Sequence, residues 1–283
     1  MLDDVLSALA CPHCAAELTR ADGGLRCARG HAFDIARQGY ASLLSAGSRT
    51  GTGDTAAMVA ARTAFLDAGH YAPIADAVAR LVAALDTGGT LLDVGAGTGH
   101  HLSRALAELP GRSGMEGSGI ALDASKYAAR RAAKAPGRIG AVVADAWQRL
   151  PVREGAISTA LDVFAPRNAA ELHRVLRPGG HLVVVTPGSG HLSGLVAELG
   201  LISVDARKRE RLSEQLADRF ALVERHGLEF PLELSRADAE AVVAMGPSAR
   251  HLDEGELRDR LAALPEPIAA TASVEVAGYR RVG

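Results

Sequence analysis

Lysine is scarce in this 283-residue chain, where it occurs only at Lys126, Lys134 and Lys208. Aromatic residues make up 4% of the sequence, and no apolar run reaches the roughly 18 residues that a membrane-spanning helix requires. The N-terminus also lacks the basic stretch and long apolar core of a secretory signal. These absences predict a globular protein without a membrane span, and we expect it in the cytoplasm.

Charge and cysteine content narrow the class of protein further. The formal net charge is −2 and the isoelectric point is about 6.6, which argues against coating nucleic acid through bulk electrostatics but leaves local basic patches open. Three cysteines are too few for a disulfide framework, and in a cytoplasmic chain they more often bind metal or stay reduced.

The spacing of the cysteines favours a metal site. Cys11 and Cys14 form a C-P-H-C knuckle, and Cys27 with His31 provides a second close pair twelve residues further on. Two such pairs match a closed tetrahedral zinc site, which has no open position and is therefore structural rather than catalytic. The alternative is that three free cysteines lie near a surface histidine by chance.

The order of the predicted elements indicates the fold class. A polar linker at 45–55 and two helices at 57–66 and 74–85 lead into alternating strands and helices, with strands predicted at 90–94, 119–122, 141–144, 156–163 and 181–186. This alternation predicts an α/β, Rossmann-like doubly wound sheet, closed by two antiparallel strands near 222–234 and 272–282. We expect three parts, a zinc module at 1–44, a linker with helices at 45–88, and the main domain at 89–283.

A glycine-rich turn follows the first strand of the main domain. Asp93 ends that strand, and Gly95, Gly97 and Gly99 follow at G-x-G-x-G spacing, which differs from the G-x-G-x-x-G of nicotinamide-binding domains. The next two strands end in Asp123 and Asp145, which are placed to accept ribose hydroxyls and the adenine amino group. Three acidic strand ends in this order predict a site for S-adenosylmethionine, with another doubly wound class such as an oxidoreductase as the alternative.

The whole pattern resembles the 23S ribosomal RNA (guanine-N1)-methyltransferases over nearly the full chain. The resemblance rests on the zinc knuckles, Phe33-Asp34, Gly39-Tyr40, Gly53-Asp54-Thr55, Arg62, the run 64–71, the glycine-rich turn, Phe164-Ala165-Pro166, Pro178-Gly179-Gly180, Thr186-Pro187-Gly188 and His191-Leu192. The run 64–71 is distinctive because a generic methyltransferase fold does not require it. The resemblance implies a class I methyltransferase fold with a zinc-ribbon-like, RNA-recognising N-terminal module.

Family resemblance adds Tyr71, Gly99, His100 and His191 to the donor-binding set. On their own, Tyr71 is equally a core residue at a helix end, and His191 is equally a helix cap. The segment 245–249 departs from the Gram-negative members, because it lacks the aromatic residues that they carry near this point. The alanine- and arginine-rich composition favours the Gram-positive and macrolide-producer branch, which implies guanine 748 rather than guanine 745 in the hairpin 35 loop of 23S rRNA, with macrolide (tylosin) resistance as an implied role. The family also implies a homodimer.

Methyl transfer to guanine N1 requires positioning of the base and removal of its proton. Asp54 is a candidate base, although a helix N-cap before 55–66 is the alternative role. Basic residues that could bind RNA lie in the zinc module, in the linker and on one predicted helix: Arg20, Arg26, Arg29, Arg37, Arg49, Lys126, Arg130, Arg131, Lys134 and Arg138. Two competing functions are a small-molecule methyltransferase and an RNA-binding protein without catalysis.

Overall fold

The computed structural model describes residues 1–45, 47–48, 53–85, 88–109, 117–200, 214–246 and 254–283. Parts of the predicted linker and of the segment 245–249 lie outside these ranges, as do Arg49 and Lys208. Within the described ranges, no helix combines the length and the apolar character needed to cross a bilayer.

Several helices and strands precede the main domain. They are α1 (Leu2–Val5), a 3-10 turn (Leu6–Ala8), β1 (Leu18–Ala21), β2 (Gly24–Cys27), β3 (Ala32–Asp34), β4 (Ala41–Ser42), α2 (Ala56–Asp67) and α3 (Ala72–Leu85). Strands β1, β2 and β3 form an antiparallel sheet of their own.

The main domain alternates strands and helices as the sequence predicts. Its elements are β5 (Thr90–Val94), α4 (His100–Glu108), β6 (Ser118–Asp123), α5 (Lys126–Ala132), β7 (Arg138–Val143), β8 (Ile157–Val163), α6 (Ala169–Val175), β9 (Leu176–Pro187), α7 (Ser193–Leu199), β10 (Phe220–Leu234), α8 (Arg236–Ala244), α9 (Glu254–Ala262) and β11 (Ile268–Arg281).

Eight of these strands form one sheet in the order β10-β11-β9-β8-β5-β6-β7-β4. The strands from β9 to β4 run parallel, and β11 pairs antiparallel with both β9 and β10. The predicted α/β fold and its antiparallel closing strands are therefore confirmed. Helices α8 and α9 separate β10 from β11, so the closing pair is not joined by a tight turn.

The parallel strands are covered on both faces. All seven residues of β8 are buried, which is the pattern of a strand enclosed by helices. On β5, Leu91 and Leu92 are fully buried but belong to different hydrophobic clusters, because successive side chains point to opposite faces of a sheet.

The N-terminal module packs directly on this sheet. Strand β4 pairs with β7 through Ala41 and Val142, and Leu25 and Phe33 share a hydrophobic cluster with Leu92 of β5. The small module thus shares apolar contacts with the large domain, which offsets the small core that its own residues build.

Candidate functional site

The glycine-rich turn lies at the carboxyl end of β5. Gly95, Gly97 and Gly99 have φ angles of 72°, 54° and 79°, in the left-handed region that glycine adopts at least cost. The backbone N–H groups of Gly95 and Ala96 donate to the Leu122 carbonyl at 2.8 and 3.0 Å. Gly99 is the N-cap of α4. The turn is thereby fixed against β6 and leads into a helix N-terminus.

A cavity opens beside this turn. Among the sequence-predicted residues, it is lined by Tyr71, Asp93, Gly95, Gly97 and His100. Other side chains in its wall were not predicted as site residues, and they are Arg62, Leu66, Ala96, Thr98, His101, Val163, Phe164 and Met245. Most of the predicted donor set therefore meets in one place.

Asp93 is the buried charge of this cavity, with 1% of its surface exposed. Burial raises the pKa of Asp93 well above its usual value, and the carboxylates of Asp162 and Asp123 raise it further. A cationic ligand would relieve both effects. An ammonium or sulfonium group therefore fits the wall of this cavity, as S-adenosylmethionine requires.

The other two acidic strand ends lie next to Asp93 along the sheet, because β5, β6 and β7 are neighbours. Asp123 accepts hydrogen bonds from the N–H groups of Gly97 and Ser125, both at 2.8 Å. Burial raises the pKa of Asp123 although these two donors act against the rise. Asp145 accepts from the Trp147 N–H at 2.9 Å. Both carboxylates are held in fixed orientations at the sheet edge.

The buried Tyr71 pairs with the half-buried His191, with 3.1 Å between Tyr71 Oη and His191 Nε2. The Ser273 N–H donates to His191 Nδ1 at 3.3 Å. Because burial lowers the pKa of His191, the ring is neutral and carries its proton on Nε2, which donates to Tyr71. His191 does not cap α7, whose N-cap is Leu192, so that alternative is wrong.

Asp54 lies directly before the start of α2 but does not cap this helix. The N-cap of α2 is Thr55, whose Oγ1 accepts from the Met58 N–H at 3.2 Å, so the N-cap interpretation of Asp54 is wrong. The Asp54 carboxylate instead accepts from Arg62 at 2.7 Å. Arg62 also donates to the Met245 carbonyl at 2.9 Å and thereby lies across the cavity wall.

Two residues next to the cavity are not among the site residues predicted from the sequence. Asp162 is fully buried near the end of β8, and its Oδ1 lies 3.0 Å from Nε of Arg167. An isolated acid in an otherwise apolar strand was the available signal. Phe164 was seen only as part of a family motif, yet its φ of 55° is rare for an aromatic residue and its side chain is 37% exposed.

The four predicted metal ligands converge in the N-terminal module. The Sγ atoms of Cys11 and Cys27 lie 3.5 and 3.3 Å from His31 Nδ1, and Cys14 Sγ lies 3.7 Å from Cys27 Sγ. All four ligand atoms fall within 4.8 Å of one another. Zinc–sulfur bonds of about 2.3 Å give tetrahedral edges of about 3.8 Å, so the cluster fits a structural zinc ion.

The zinc knuckles are built by backbone hydrogen bonds. The Cys11 N–H donates to the Ala16 carbonyl at 2.8 Å, and the Cys27 N–H donates to the His31 carbonyl at 3.0 Å. These turns direct each ligand pair toward the other. His13, inside the first knuckle, stacks on Phe33 with ring centroids 5.7 Å apart and is not one of the four ligands.

Comparison with known proteins agrees with both halves of this description. The family model described as "RlmA, N-terminal" matches residues 9–49, and the model described as "Methyltransferase domain" matches residues 91–180. Among solved structures, the YcgJ protein from Bacillus subtilis superposes with a TM-score of 0.50 at 15% identity, covering 74% of this chain and 100% of that one. That likeness concerns the fold alone.

Relatives that align with almost the whole of this chain show its family. A 23S rRNA (guanine(748)-N(1))-methyltransferase from Streptomyces fradiae is 48% identical, and the alignment covers 97% of each chain. A second relative, from Micromonospora griseorubida, is 44% identical over 100% of both chains. With its zinc cluster, its donor cavity and these relatives, the chain belongs to the family of S-adenosylmethionine-dependent 23S rRNA (guanine-N1)-methyltransferases.

Proposed function

We propose that this protein transfers a methyl group from S-adenosylmethionine to N1 of guanine 748 in the hairpin 35 loop of 23S rRNA. The observation that carries the proposal is the 48% identity, over 97% of both chains, to an enzyme named for that guanine. The same observation favours position 748 over position 745. We also propose that the reaction protects the ribosome against tylosin-type macrolides and takes place in the cytoplasm, where 23S rRNA is found.

Residues in the cavity wall and at the neighbouring strand ends have different proposed roles in holding the donor. S-adenosylmethionine, when bound, supplies an activated methyl group. We assign Asp93 to its positively charged end, Asp123 to the ribose hydroxyls and Asp145 to the adenine amino group. Gly95, Gly97 and Gly99 leave room for the ligand next to the backbone. Tyr71, His100 and His191 complete the proposed set.

The acceptor base must be unpaired, since guanine N1 is engaged in a base-paired stem. The partly exposed ring of Phe164 lies at the cavity, with its centroid 5.7 Å from the His191 ring. It offers an aromatic surface for a guanine that enters from solvent. We propose Asp54 as the acceptor of the N1 proton, because its ion pair with Arg62 holds it at the edge of the cavity.

The zinc module is proposed to dock the RNA. Arg20 and Arg26 are paired with Asp3 and Asp22, at 2.6 and 3.6 Å. Arg29 and Arg37 are exposed, and the described residues give them no acidic partner. Such cations are suited to phosphate. We further propose a homodimer in which two zinc modules grip one hairpin.

Primer extension on 23S rRNA tests the proposed reaction, because N1-methylguanine blocks reverse transcription. RNA from cells that express the gene should stop the polymerase at position 748, and RNA from cells without it should not. A stop at 745 would correct the position, and no stop at either position would overturn the ribosomal assignment. Sedimentation of the protein with and without the hairpin tests the dimer.

Two other functions predict different outcomes. A small-molecule methyltransferase would bind the donor but leave no stop on the RNA. A non-catalytic RNA-binding protein would retain the hairpin without consuming S-adenosylmethionine. The second is disfavoured because a pocket without a catalytic role need not keep Asp93, Gly95 and Gly97 together in one cavity wall. A tylosin growth assay with and without the gene separately tests the resistance role.

A further inference from the structure

A second cleft lies beside α2 and is lined by other residues of that helix than the donor cavity is. It opens to solvent and runs between α2 and α5. The wall from α2 is formed by small side chains, and the other wall carries positive charge: Ala56, Val59, Ala60, Thr63 and Ala64 face Tyr127, Arg130, Arg131 and Lys134. The wall from α2 is therefore mostly apolar, whereas the wall from α5 is basic.

The cations of this cleft have no acidic partner in the part of the chain that the structure describes. Arg130, Arg131 and Lys134 are exposed, and no ion pair joins them to any acid within the described ranges. Most of the other arginines that the structure describes form ion pairs, for example Arg104 with Asp76 at 2.8 Å. Three cations without acidic partners along one open cleft form the electrostatic pattern that attracts a phosphodiester backbone. Tyr127, 40% exposed, adds an aromatic surface to the same wall.

The cleft lies close to both functional parts already described. At the end of α5, a Cβ on Gly99 of the donor turn would lie 3.3 Å from Ala132. A Cβ on Gly39, in the zinc module, would lie 3.8 Å from the Ala133 side chain. The C-terminal end of α5 is thus in contact range of the zinc module on one side and of the donor turn on the other.

We propose that the cleft between α2 and α5 holds the single-stranded RNA segment that flanks the target guanine. Arg130, Arg131 and Lys134 bind successive phosphates, and Tyr127 stacks on a base. The cleft would then connect the RNA held by the zinc module to the base presented at the donor cavity. This inference rests on the proposed RNA methylation, but it concerns binding and can be tested without turnover.

The test compares two double variants that each remove two positive charges. Arg130→Gln/Arg131→Gln changes the cleft, whereas Arg80→Gln/Arg280→Gln changes two exposed arginines on α3 and β11, outside the cleft. Fluorescence anisotropy measures the affinity of the full-length, zinc-loaded protein for a hairpin 35 transcript across a series of KCl concentrations. Titration with S-adenosylmethionine serves as the folding control, and both variants should bind it like the wild type.

We expect the cleft variant to bind the transcript about tenfold more weakly. Its slope of log affinity against log salt should become shallower by about 1.4, because each of two lost phosphate contacts contributes about 0.7 to the slope. The control variant should keep most of the slope. Equal affinities and slopes for the two variants would overturn the proposal. So would a cleft variant that binds the naked transcript normally but loses binding to ribosomal subunits, since that points to an acidic protein. A wild type that binds RNA but gives no primer-extension stop would count against the proposed reaction and not against the cleft.

Discussion

Tyr71 Oη and His191 Nε2 lie 3.1 Å apart, although 120 residues separate them in the chain. Tyr71 precedes α3 and His191 precedes α7, so the bond joins the start of α3 to the region after β9, the last parallel strand. Only Tyr71 lines the donor cavity, and His191 supports it from behind. The proposed donor roles of these two residues are therefore different, with contact by Tyr71 and positioning by His191.

Tyr71→Phe should weaken binding of S-adenosylmethionine about fivefold, because a net hydrogen bond contributes about 1 kcal/mol and His191 loses its partner. Isothermal titration measures the donor affinity. Tyr279→Phe is the matched control, since Tyr279 is equally buried on β11 but lies outside the cavity. Equal donor affinities for the two variants would remove Tyr71 from the donor site.

Asp93→Asn should weaken donor binding more than tenfold while it makes the free protein more stable at neutral pH. Burial raises the pKa of Asp93 in the folded chain, so the native state binds the proton more tightly than the unfolded state, whose pKa is about 3.9. The stability that protonated Asp93 contributes is therefore fully present below about pH 4 and is lost as the pH rises toward the pKa of Asp93 in the folded chain. The variant removes this loss.

Thermal unfolding at a series of pH values from 4 to 8 tests the sign. The melting temperature of Asp93→Asn minus that of the wild type should increase with pH, whereas the exposed Asp218→Asn should show no such trend. A difference that is independent of pH would mean that Asp93 is not the buried carboxylate responsible.

Asp54→Asn should lower kcat about 100-fold if Asp54 accepts the N1 proton, with donor affinity and the KM for RNA changed by less than about twofold. Thr55→Ala is the control for local disturbance, because it removes the N-cap of α2 next to Asp54. Asp54→Glu should restore part of kcat. If Thr55→Ala lowers kcat as much as Asp54→Asn does, Asp54 acts only through the start of α2.

The donor turn is predictable from the sequence because each of its residues carries a local signal. Gly95, Gly97 and Gly99 need positive φ angles, and Asp93 ends an apolar strand, so spacing alone places them together. The zinc ligands were predictable for the same reason, since two close pairs of soft ligands leave few other interpretations.

Residues that reach the site through long-range packing carry no such signal. Met245 joins the cavity wall only because its carbonyl accepts from Arg62, 183 residues earlier. The pairing of β4 with β7, which anchors the zinc module on the sheet, involves two residues per strand and leaves no periodic pattern. Asp162 was overlooked because its importance depends on the neighbouring strand that brings Asp93 close.

Removal of zinc should unfold the N-terminal module and abolish RNA methylation, while donor binding persists in part. Cys14→Ser should release the metal and lower the melting temperature, because a structural zinc site contributes directly to folding. His13→Ala is the matched control, since His13 lies inside the same knuckle but is not among the four converging ligands. A colorimetric zinc assay should find one equivalent in His13→Ala and less in Cys14→Ser; equal zinc in both would contradict the ligand assignment.

Gly95→Ala separates backbone strain from steric collision in the donor turn. Any L-residue at a positive φ costs about 1–2 kcal/mol, and this cost also applies to Gly179→Ala, where φ is 73° and no atom lies within 4 Å of a new Cβ. At Gly95 the new Cβ would lie 2.6 Å from the Ala165 Cβ, beside Phe164. Because Ala165 would have to move, Gly95→Ala should lose about 1–3 kcal/mol more stability than Gly179→Ala and should lose donor binding as well. Urea unfolding and donor titration of both variants measure the two effects, and equal losses of stability would show that the turn tolerates the methyl group by moving away from β8.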